Sequence, residues 1–141
     1  MIARAFVLTA VILSAITCGD YGSGTYGIVP PPAGAGAVAL GFVVQPSNGP
    51  AGAAINPPVQ VAIQNSSGAT VTSSTATVTI SLTPGTGTTG ATMGGTVSRA
   101  AVSGVATFNN LTVSPAGTGY TLTATSTGLS SATSTPFAVT P

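Results

Sequence analysis

Apolar and polar residues alternate along much of residues 37–141 with a period of two, which is typical of half-buried β-strands. The clearest run covers residues 75–82, where aliphatic side chains at even positions alternate with threonine and serine at odd positions. In the first run, Leu40, Phe42 and Val44 are expected on one face of a strand. Together the alternating runs predict strands near residues 40–44, 59–64, 76–82, 97–102, 105–108, 111–113, 120–124 and 137–139.

Glycine and proline interrupt every longer run, and threonine and valine favour the pleated surface of a sheet over a helix. Residues 103–104, Ser-Gly, are expected to form a turn that pairs residues 97–102 with residues 105–108. Residues 83–95, rich in glycine and threonine, are expected to form a loop. The pattern therefore predicts an all-β fold. Because the length of residues 37–141 matches that of an immunoglobulin-like sandwich, about 100 residues, we predict an immunoglobulin-like antiparallel β-sandwich of about seven strands.

Large side chains at the inward positions of these strands define the expected core. Its principal members are predicted to be Phe42, Phe108, Tyr120, Leu122 and Phe137. Burying one such side chain contributes about 1.5–3 kcal/mol, so this core can hold the domain without a disulfide. Tyr120 is expected to place its ring in the core and its hydroxyl on nearby backbone, as in a tyrosine corner. The alternative, a tyrosine that stacks on a ligand, is disfavoured by the alternation around it.

The N-terminal residues have the features of an export signal. Arg4 is followed by an uncharged run at residues 5–17, which would form a helix of about 20 Å, shorter than a bilayer core of about 30 Å. We therefore predict a signal peptide at residues 1–17 that forms a helix. Residues 18–36 are predicted to be a flexible Gly/Pro-rich linker, and residues 37–141 the Ig-like domain.

Cys18, the only cysteine, ends the apolar run and has no internal disulfide partner. The small-residue stretch before it resembles a bacterial lipobox, although Thr17 stands where glycine, alanine or serine is usual. This resemblance implies that Cys18 is the lipidated first residue of an exported lipoprotein at the cell envelope or outer surface. The alternative is ordinary cleavage that leaves Cys18 as a free thiol on a secreted protein.

The charge content excludes most catalytic arrangements. The chain has two Lys or Arg residues, one Asp or Glu residue and no histidine. It therefore lacks the residues for a Ser-His-Asp triad, a two-carboxylate site or an HExxH zinc site. No cofactor or metal is expected, and a net charge of +1 gives no basis for nucleic-acid binding. Arg99 is interpreted as an outward-facing charge that guards a sheet edge.

Three segments carry a family resemblance: residues 41–82, the stretch GVATFNNLTV at residues 104–113, and AGTGYTLTA at residues 116–124. They resemble a bacterial Ig-like domain, related to the repeats of invasin- and intimin-type surface proteins. The resemblance implies a spacer or adhesion module outside the cytoplasm. Relatives commonly carry many copies in tandem and this chain carries one, so a small surface lipoprotein is a better expectation than a stalk.

Three hypotheses for function follow. The first is a non-catalytic surface protein, anchored in the membrane through lipid on Cys18, that contacts an unknown protein or glycan partner. The second is a subunit that self-associates through exposed strand edges, which a near-neutral surface permits. The third is a carbohydrate-binding accessory module, which would need exposed aromatic rings. Threonine rows such as Thr75, Thr77 and Thr79 also resemble the flat arrays that bind ice, but a twisted sheet is not flat.

Overall fold

The computed structural model describes residues 36–141, so the predicted signal helix and nearly all of the predicted linker lie outside the described residues. Every regular element of the described part is a β-strand, as the alternation predicts. In chain order the strands are β1 Ala39–Val44, β2 Gly49–Pro50, β3 Val59–Gln64, β4 Thr77–Leu82, β5 Thr92–Gly94, β6 Ser98–Ala100, β7 Val105–Phe108, β8 Thr112–Ser114, β9 Gly117–Tyr120, β10 Leu122–Ser126, β11 Leu129–Thr133 and β12 Phe137–Thr140.

The strands form three sheets around one core. The largest has seven strands in the order β6-β4-β10-β11-β1-β3-β7, and the smaller ones have the orders β2-β12-β9 and β5-β8. The prediction of a purely antiparallel fold is wrong at two places, because β1 pairs with β11 and β2 pairs with β12 in parallel. Strand β1 also pairs antiparallel with β3, so it joins the two halves of the large sheet.

Strand β4 illustrates why this sequence forms a sheet with one buried side. Val78 and Ile80 are buried, whereas the threonines at 77 and 79 and Ser81 are exposed. Branching at Cβ suits both faces of the strand, because valine and isoleucine pack well in the pleat and threonine adds a hydroxyl that remains in water. The same alternation continues in β10, where Leu122 and Ala124 are buried.

Because β1 contains a β-bulge, the side chain of Val44 lies on the face opposite to the predicted one. Phe42 pairs with Val61, but Val44 pairs with Gln60, so β1 contains one residue more than β3 at this point. An extra residue moves all following side chains to the opposite face. Leu40 and Phe42 therefore face the core together, and Val44 does not share their face.

The predicted hairpin at residues 103–104 forms only at its turn. Ser103 and Gly104 both have positive φ, 52° and 80°, as a two-residue type I′ loop requires. Val102 and Val105 exchange backbone hydrogen bonds of 2.9 and 3.1 Å. Beyond this bridge the strands separate, because β6 pairs with β4 and β7 pairs with β3. The tight turn therefore connects the two ends of the large sheet.

Buried side chains from all three sheets form a single core cluster. Of the predicted core residues, four are buried: Phe108, Tyr120, Leu122 and Phe137. Phe42 is half-buried and packs against the cluster from its margin. The rings of Tyr120 and Phe137 lie 5.9 Å apart with a tilt of 36°, a favourable separation for an aromatic pair.

Three short strands lie wholly outside the predicted ones. The first is β2, at residues 49–50, which pairs with β12. The second is β5, at residues 92–94 within the predicted loop, which pairs with β8. The third is β11, at residues 129–133, which pairs antiparallel with β10. Its sequence, Leu-Ser-Ser-Ala-Thr, has little hydrophobic contrast, and its side chains are exposed or half-buried. Pairing with its neighbours therefore determines β11 more than side-chain burial does.

Candidate functional site

The outer face of β4 and β10 presents a regular group of hydroxyls. Thr79 lies opposite Thr125, and Ser81 lies opposite Thr123. Directly opposite side chains lie about 4.5–5.5 Å apart at Cβ and point to the same side of the sheet. The register adds one residue from each flanking strand. We call this surface the hydroxyl face, and its members are Thr77, Thr79, Ser81, Ser98, Thr123, Thr125 and Thr133.

Hydrogen bonds tie part of the hydroxyl face together. The hydroxyls of Thr79 and Ser98 lie 3.2 Å apart, and those of Thr83 and Thr123 lie 2.7 Å apart. Thr125 donates to the backbone carbonyl of Thr79 at 3.4 Å. Beside these bonds is a shallow depression of about 380 Å³, lined by Thr77, Thr79, Thr125, Ser126 and Thr127. The surface offers neutral hydroxyl donors and acceptors in register, and none of its members carries a charge.

A second candidate site is the cleft where β6 and β7 separate. It has a volume of about 440 Å³ and is called here the β6–β7 cleft; its lining residues are Gln60, Arg99, Ala100, Val102, Val105 and Thr107. Each of the two strands pairs with a neighbour on one side only, because they occupy opposite ends of the strand order. An amide, a hydroxyl, a guanidinium and two valines thus surround a place where strand edges are unpaired.

The prediction that Arg99 faces outward is wrong. Arg99 lies opposite Val78, which is fully buried, so its side chain leaves the strand on the core side of the sheet. It is half-buried, and its Nη2 donates to Oδ1 of Asn109 at 3.2 Å. Because β6 is the edge strand, the side chain can reach from the end of the core to the residue after β7.

A third depression, of about 370 Å³, is formed by the glycine- and threonine-rich segment between β4 and β5 and is lined by residues 82–91. Thr86 and Thr88 hold this segment in place by donating to the carbonyls of Thr83 and Ala116, at 2.7 and 3.0 Å. The segment contains no lysine and leads into a strand instead of a helix. It therefore lacks the parts of a phosphate-binding P-loop.

Tyr120 has the geometry expected of a tyrosine corner. Its ring is fully buried, and its hydroxyl donates to the backbone carbonyl of Pro115 at 2.7 Å. Gly87 packs so closely on the ring that a Cβ there would collide with it. The ring and the hydroxyl of Tyr120 both contact other parts of the domain, as expected of a side chain with a structural role.

The other sequence-based site prediction concerned Cys18, which lies outside the described residues. Within residues 36–141 no group of three or more histidine, cysteine, aspartate or glutamate residues is present to hold a metal ion. The same part of the chain contains no helix long and apolar enough to cross a membrane.

Neither the hydroxyl face nor the β6–β7 cleft could be identified from the sequence alone, because alternation does not show which strands pair or in which register. Alternation identifies Thr79 and Thr125 as outward residues, but only the pairing of β4 with β10 places them side by side. A scan against protein-family models and a search of curated proteins found no match to this chain.

Proposed function

We propose that this chain is a non-catalytic exported surface protein, in which an Ig-like module has an adhesive or structural role at the cell envelope. The observation that carries the proposal is the hydroxyl face, a neutral surface with hydroxyls in register on neighbouring strands. Such a surface binds other molecules through many weak hydrogen bonds. It has neither a deep pocket nor a charged group to concentrate affinity at one point.

The strand pairing supports the Ig-like part of the proposal. Antiparallel pairing joins β1, β3 and β7 in one half, and β6, β4, β10 and β11 in the other. In Ig nomenclature these halves correspond to strands A-B-E and C′-C-F-G. Strand β6 takes the C′ position because it pairs with β4 and not with β7. Tyr120 donates a hydrogen bond to the carbonyl of Pro115, five residues upstream, as the tyrosine of a tyrosine corner does near the start of strand F.

The N-terminal sequence supports the location. A short apolar run ending at Cys18 fits a lipoprotein signal, and lipid on Cys18 would hold the module at the membrane surface. The absence of histidine and the single acidic residue support a non-catalytic role.

The location is tested by intact-mass and N-terminal analysis of the protein from membrane fractions. We expect residues 1–17 to be absent and Cys18 to carry a diacylglyceryl group. The Cys18→Ser variant should lose the lipid mass and move to the medium. An unmodified Cys18 thiol in the medium of the unaltered protein would contradict the anchor and leave a secreted module.

The role of the hydroxyl face is tested by adhesion of beads coated with the protein to isolated cell-envelope material. Replacing Thr79 and Thr125 by lysine should reduce bead retention severalfold, because two charges interrupt the neutral array. The matched control carries two lysines as well, Ser66→Lys with Thr70→Lys, at exposed positions outside the hydroxyl face. Equal retention of all three proteins would exclude the hydroxyl face as the contact surface.

Self-association is the second candidate function, and one observation favours it. Val102 is 76% exposed beside the unpaired edges of β6 and β7, although valine is usually buried. Sedimentation at increasing concentration should detect dimers, which Val102→Lys should weaken; a monomer throughout the range would eliminate this candidate. The carbohydrate module is less favoured, because each aromatic ring within residues 36–141 is buried or half-buried.

A further inference from the structure

Arg99 is the only charged side chain in residues 36–141, and this part of the chain has no carboxylate side chain to pair with it. Arg99 is half-buried at the end of the core, and its Nε is buried without a hydrogen-bond acceptor among these residues. A charged group that is partly withdrawn from water is unfavourable unless it is paired. An anion from outside the domain would therefore stabilise Arg99.

The guanidinium of Arg99 is held in a defined position. Burial of Nε encloses the inner part of the side chain, and Nη2 donates to Oδ1 of Asn109 at 3.2 Å. A guanidinium has five N–H donors in a planar fork, so the contact with Asn109 leaves others for a ligand. A side chain that is already ordered loses little conformational entropy when it binds. Arg99 is thus preorganised as a donor to an anion.

The anion that best fits this donor is a carboxylate. A carboxylate accepts two parallel hydrogen bonds from a guanidinium and also neutralises its charge. Half-burial strengthens this attraction, because partly buried charges are screened less by water and salt. The amide of Gln60 and the hydroxyl of Thr107, which lie opposite each other on β3 and β7, line the same cleft and can hydrogen-bond to a polar ligand.

The remainder of the β6–β7 cleft suits an extended peptide. Among the described strands, β6 and β7 each have a partner on one edge only, and an unpaired edge can form backbone hydrogen bonds with an added strand. Val102 is 76% exposed, and Val105 beside it is half-buried. Side chains two residues apart on an extended segment face the same side. A carboxylate can therefore face Arg99 while an apolar neighbour faces the valines.

We propose that the β6–β7 cleft binds an extended acidic peptide segment of another protein. An aspartate or glutamate side chain of that segment accepts hydrogen bonds from the Arg99 guanidinium, and its backbone pairs with an unpaired strand edge of the cleft. The cleft shares no lining residue with the hydroxyl face. The proposal therefore goes beyond the proposed function, and either can fail without the other.

Calorimetric titration of the full chain with two matched peptides tests the proposal. The first is acetyl-Val-Thr-Asp-Thr-Val-amide, in which the blocked ends leave the aspartate as the only carboxylate. The second has asparagine in place of the aspartate and should bind about tenfold more weakly, because it loses the charge-assisted hydrogen bonds. Added salt should weaken binding of the aspartate peptide and leave that of the asparagine peptide nearly unchanged.

Variants of Arg99 test whether this residue makes the distinction. Arg99→Gln should bind both peptides equally weakly. Arg99→Lys keeps the charge but loses the planar fork, so its affinity for the aspartate peptide should lie between those of the unaltered protein and Arg99→Gln. Thr127→Gln, at an exposed position in the turn between β10 and β11, is the matched control and should bind like the unaltered protein.

The peptide pair keeps the test valid even if Arg99 variants fail to fold, because both peptides are titrated into the unaltered protein. In NMR spectra the aspartate peptide should shift the amide signals of β6, β7 and Asn109. The signals of Thr123 and Thr125 in β10 should stay in place.

Four outcomes would overturn the proposal. The first is equal affinity, or no affinity, for the two peptides. The second is a set of shifted signals that lies outside the cleft. The third is acetate binding as tightly as the aspartate peptide, which would make the site one for small free acids. The fourth is a peptide affinity that rises as the protein is diluted, which would make a second copy of the chain the occupant of the cleft.

Discussion

Tyr120 combines the two kinds of contact that fix the centre of this fold. Its ring packs on Phe137 across the β9–β12 pair, and its hydroxyl donates to the carbonyl of Pro115. Burial of the ring supplies the larger contribution to stability, while the hydrogen bond satisfies a carbonyl at the corner before β9. One side chain thus fixes the position of the chain where it enters the second half of the domain.

Removing only the hydroxyl separates these contributions. Tyr120→Phe keeps the ring but leaves the Pro115 carbonyl without this donor, so we expect a loss of about 1–3 kcal/mol in the free energy of unfolding. Urea denaturation followed by circular dichroism measures it. Thr127→Val removes an exposed hydroxyl and should change stability by less than about 0.5 kcal/mol. Equal effects of the two substitutions would mean that the corner hydrogen bond contributes nothing.

Gly104 is required where the chain turns between the two ends of the large sheet. It has a φ of 80°, and a Cβ there would collide with the carbonyl oxygen of Val71 and approach Thr70 Cγ2 to 2.9 Å. Gly128 has nearly the same φ, 78°, but nothing lies within 4 Å of its Cβ position. Both glycines have a left-handed backbone conformation, but only at Gly104 do neighbouring atoms occupy the space that a Cβ would need.

Alanine at these positions should therefore have unequal effects. Gly128→Ala should cost about 1–2 kcal/mol, the strain of a left-handed residue. Gly104→Ala should cost more, by at least about 1 kcal/mol, because the Val71 backbone must also move. Thermal unfolding of both variants measures the difference. If Gly104→Ala is no less stable than Gly128→Ala, contact with the Val71 carbonyl does not restrict position 104.

At the scale of elements, the hairpin formed by β9–β10 and β11–β12 changes sheets at its middle. Residues 120–122 lead from the three-stranded sheet into the seven-stranded sheet, and residues 134–136 on the other arm lead from the seven-stranded sheet back to the three-stranded one. Ser134 is buried at this break; its Oγ accepts from the backbone N–H of Leu122 at 2.9 Å and donates to the Thr135 carbonyl at 2.9 Å. A side chain thus replaces a backbone partner where the ladder is interrupted.

Ser134→Ala should therefore expose the dependence of the hairpin on this hydroxyl. The buried N–H of Leu122 would lose its acceptor, and we expect a loss of about 1–3 kcal/mol. Hydrogen exchange should also become faster at Leu122 than at Ile80 in β4. Ser131→Ala, at an exposed position of β11, is the matched control. Unchanged protection at Leu122 in Ser134→Ala would exclude this role.

Elements with strong alternation could be predicted from the sequence, and those defined by pairing could not. Strand β4 follows directly from its alternating residues, and the turn at 103–104 follows from Ser-Gly. The bulge at Val43 was not predictable, because Leu40, Phe42 and Val44 are equally apolar and alternation cannot detect an inserted residue. The same limit placed Arg99 on the wrong face, since only its pairing with Val78 defines its direction.

At the scale of the whole molecule, charge is almost absent from the domain. Residues 36–141 contain one arginine and no aspartate, glutamate, histidine, lysine or cysteine. Packing, backbone pairing and hydroxyl hydrogen bonds therefore provide nearly all of the stability. A neutral surface also gives little electrostatic repulsion between copies of the domain.

This composition predicts a stability that is insensitive to mild changes of pH. Stability depends on pH only where the folded and unfolded states bind different numbers of protons. With no histidine in the chain, no side chain of ordinary pKa titrates between about pH 5 and pH 7. The free energy of unfolding, measured by urea denaturation, should vary by less than about 0.5 kcal/mol over this range. A steeper dependence would reveal a group whose pKa is displaced into it.

The two parallel pairings have a mechanical consequence. Strands β1 and β11, and likewise β2 and β12, run in the same direction, with the first of each pair near the start of the domain and the second near its end. A pulling force applied to the two ends would slide each pair lengthwise and load its hydrogen bonds together instead of opening them one at a time. The domain would therefore yield abruptly at a high force when it is pulled by its two ends.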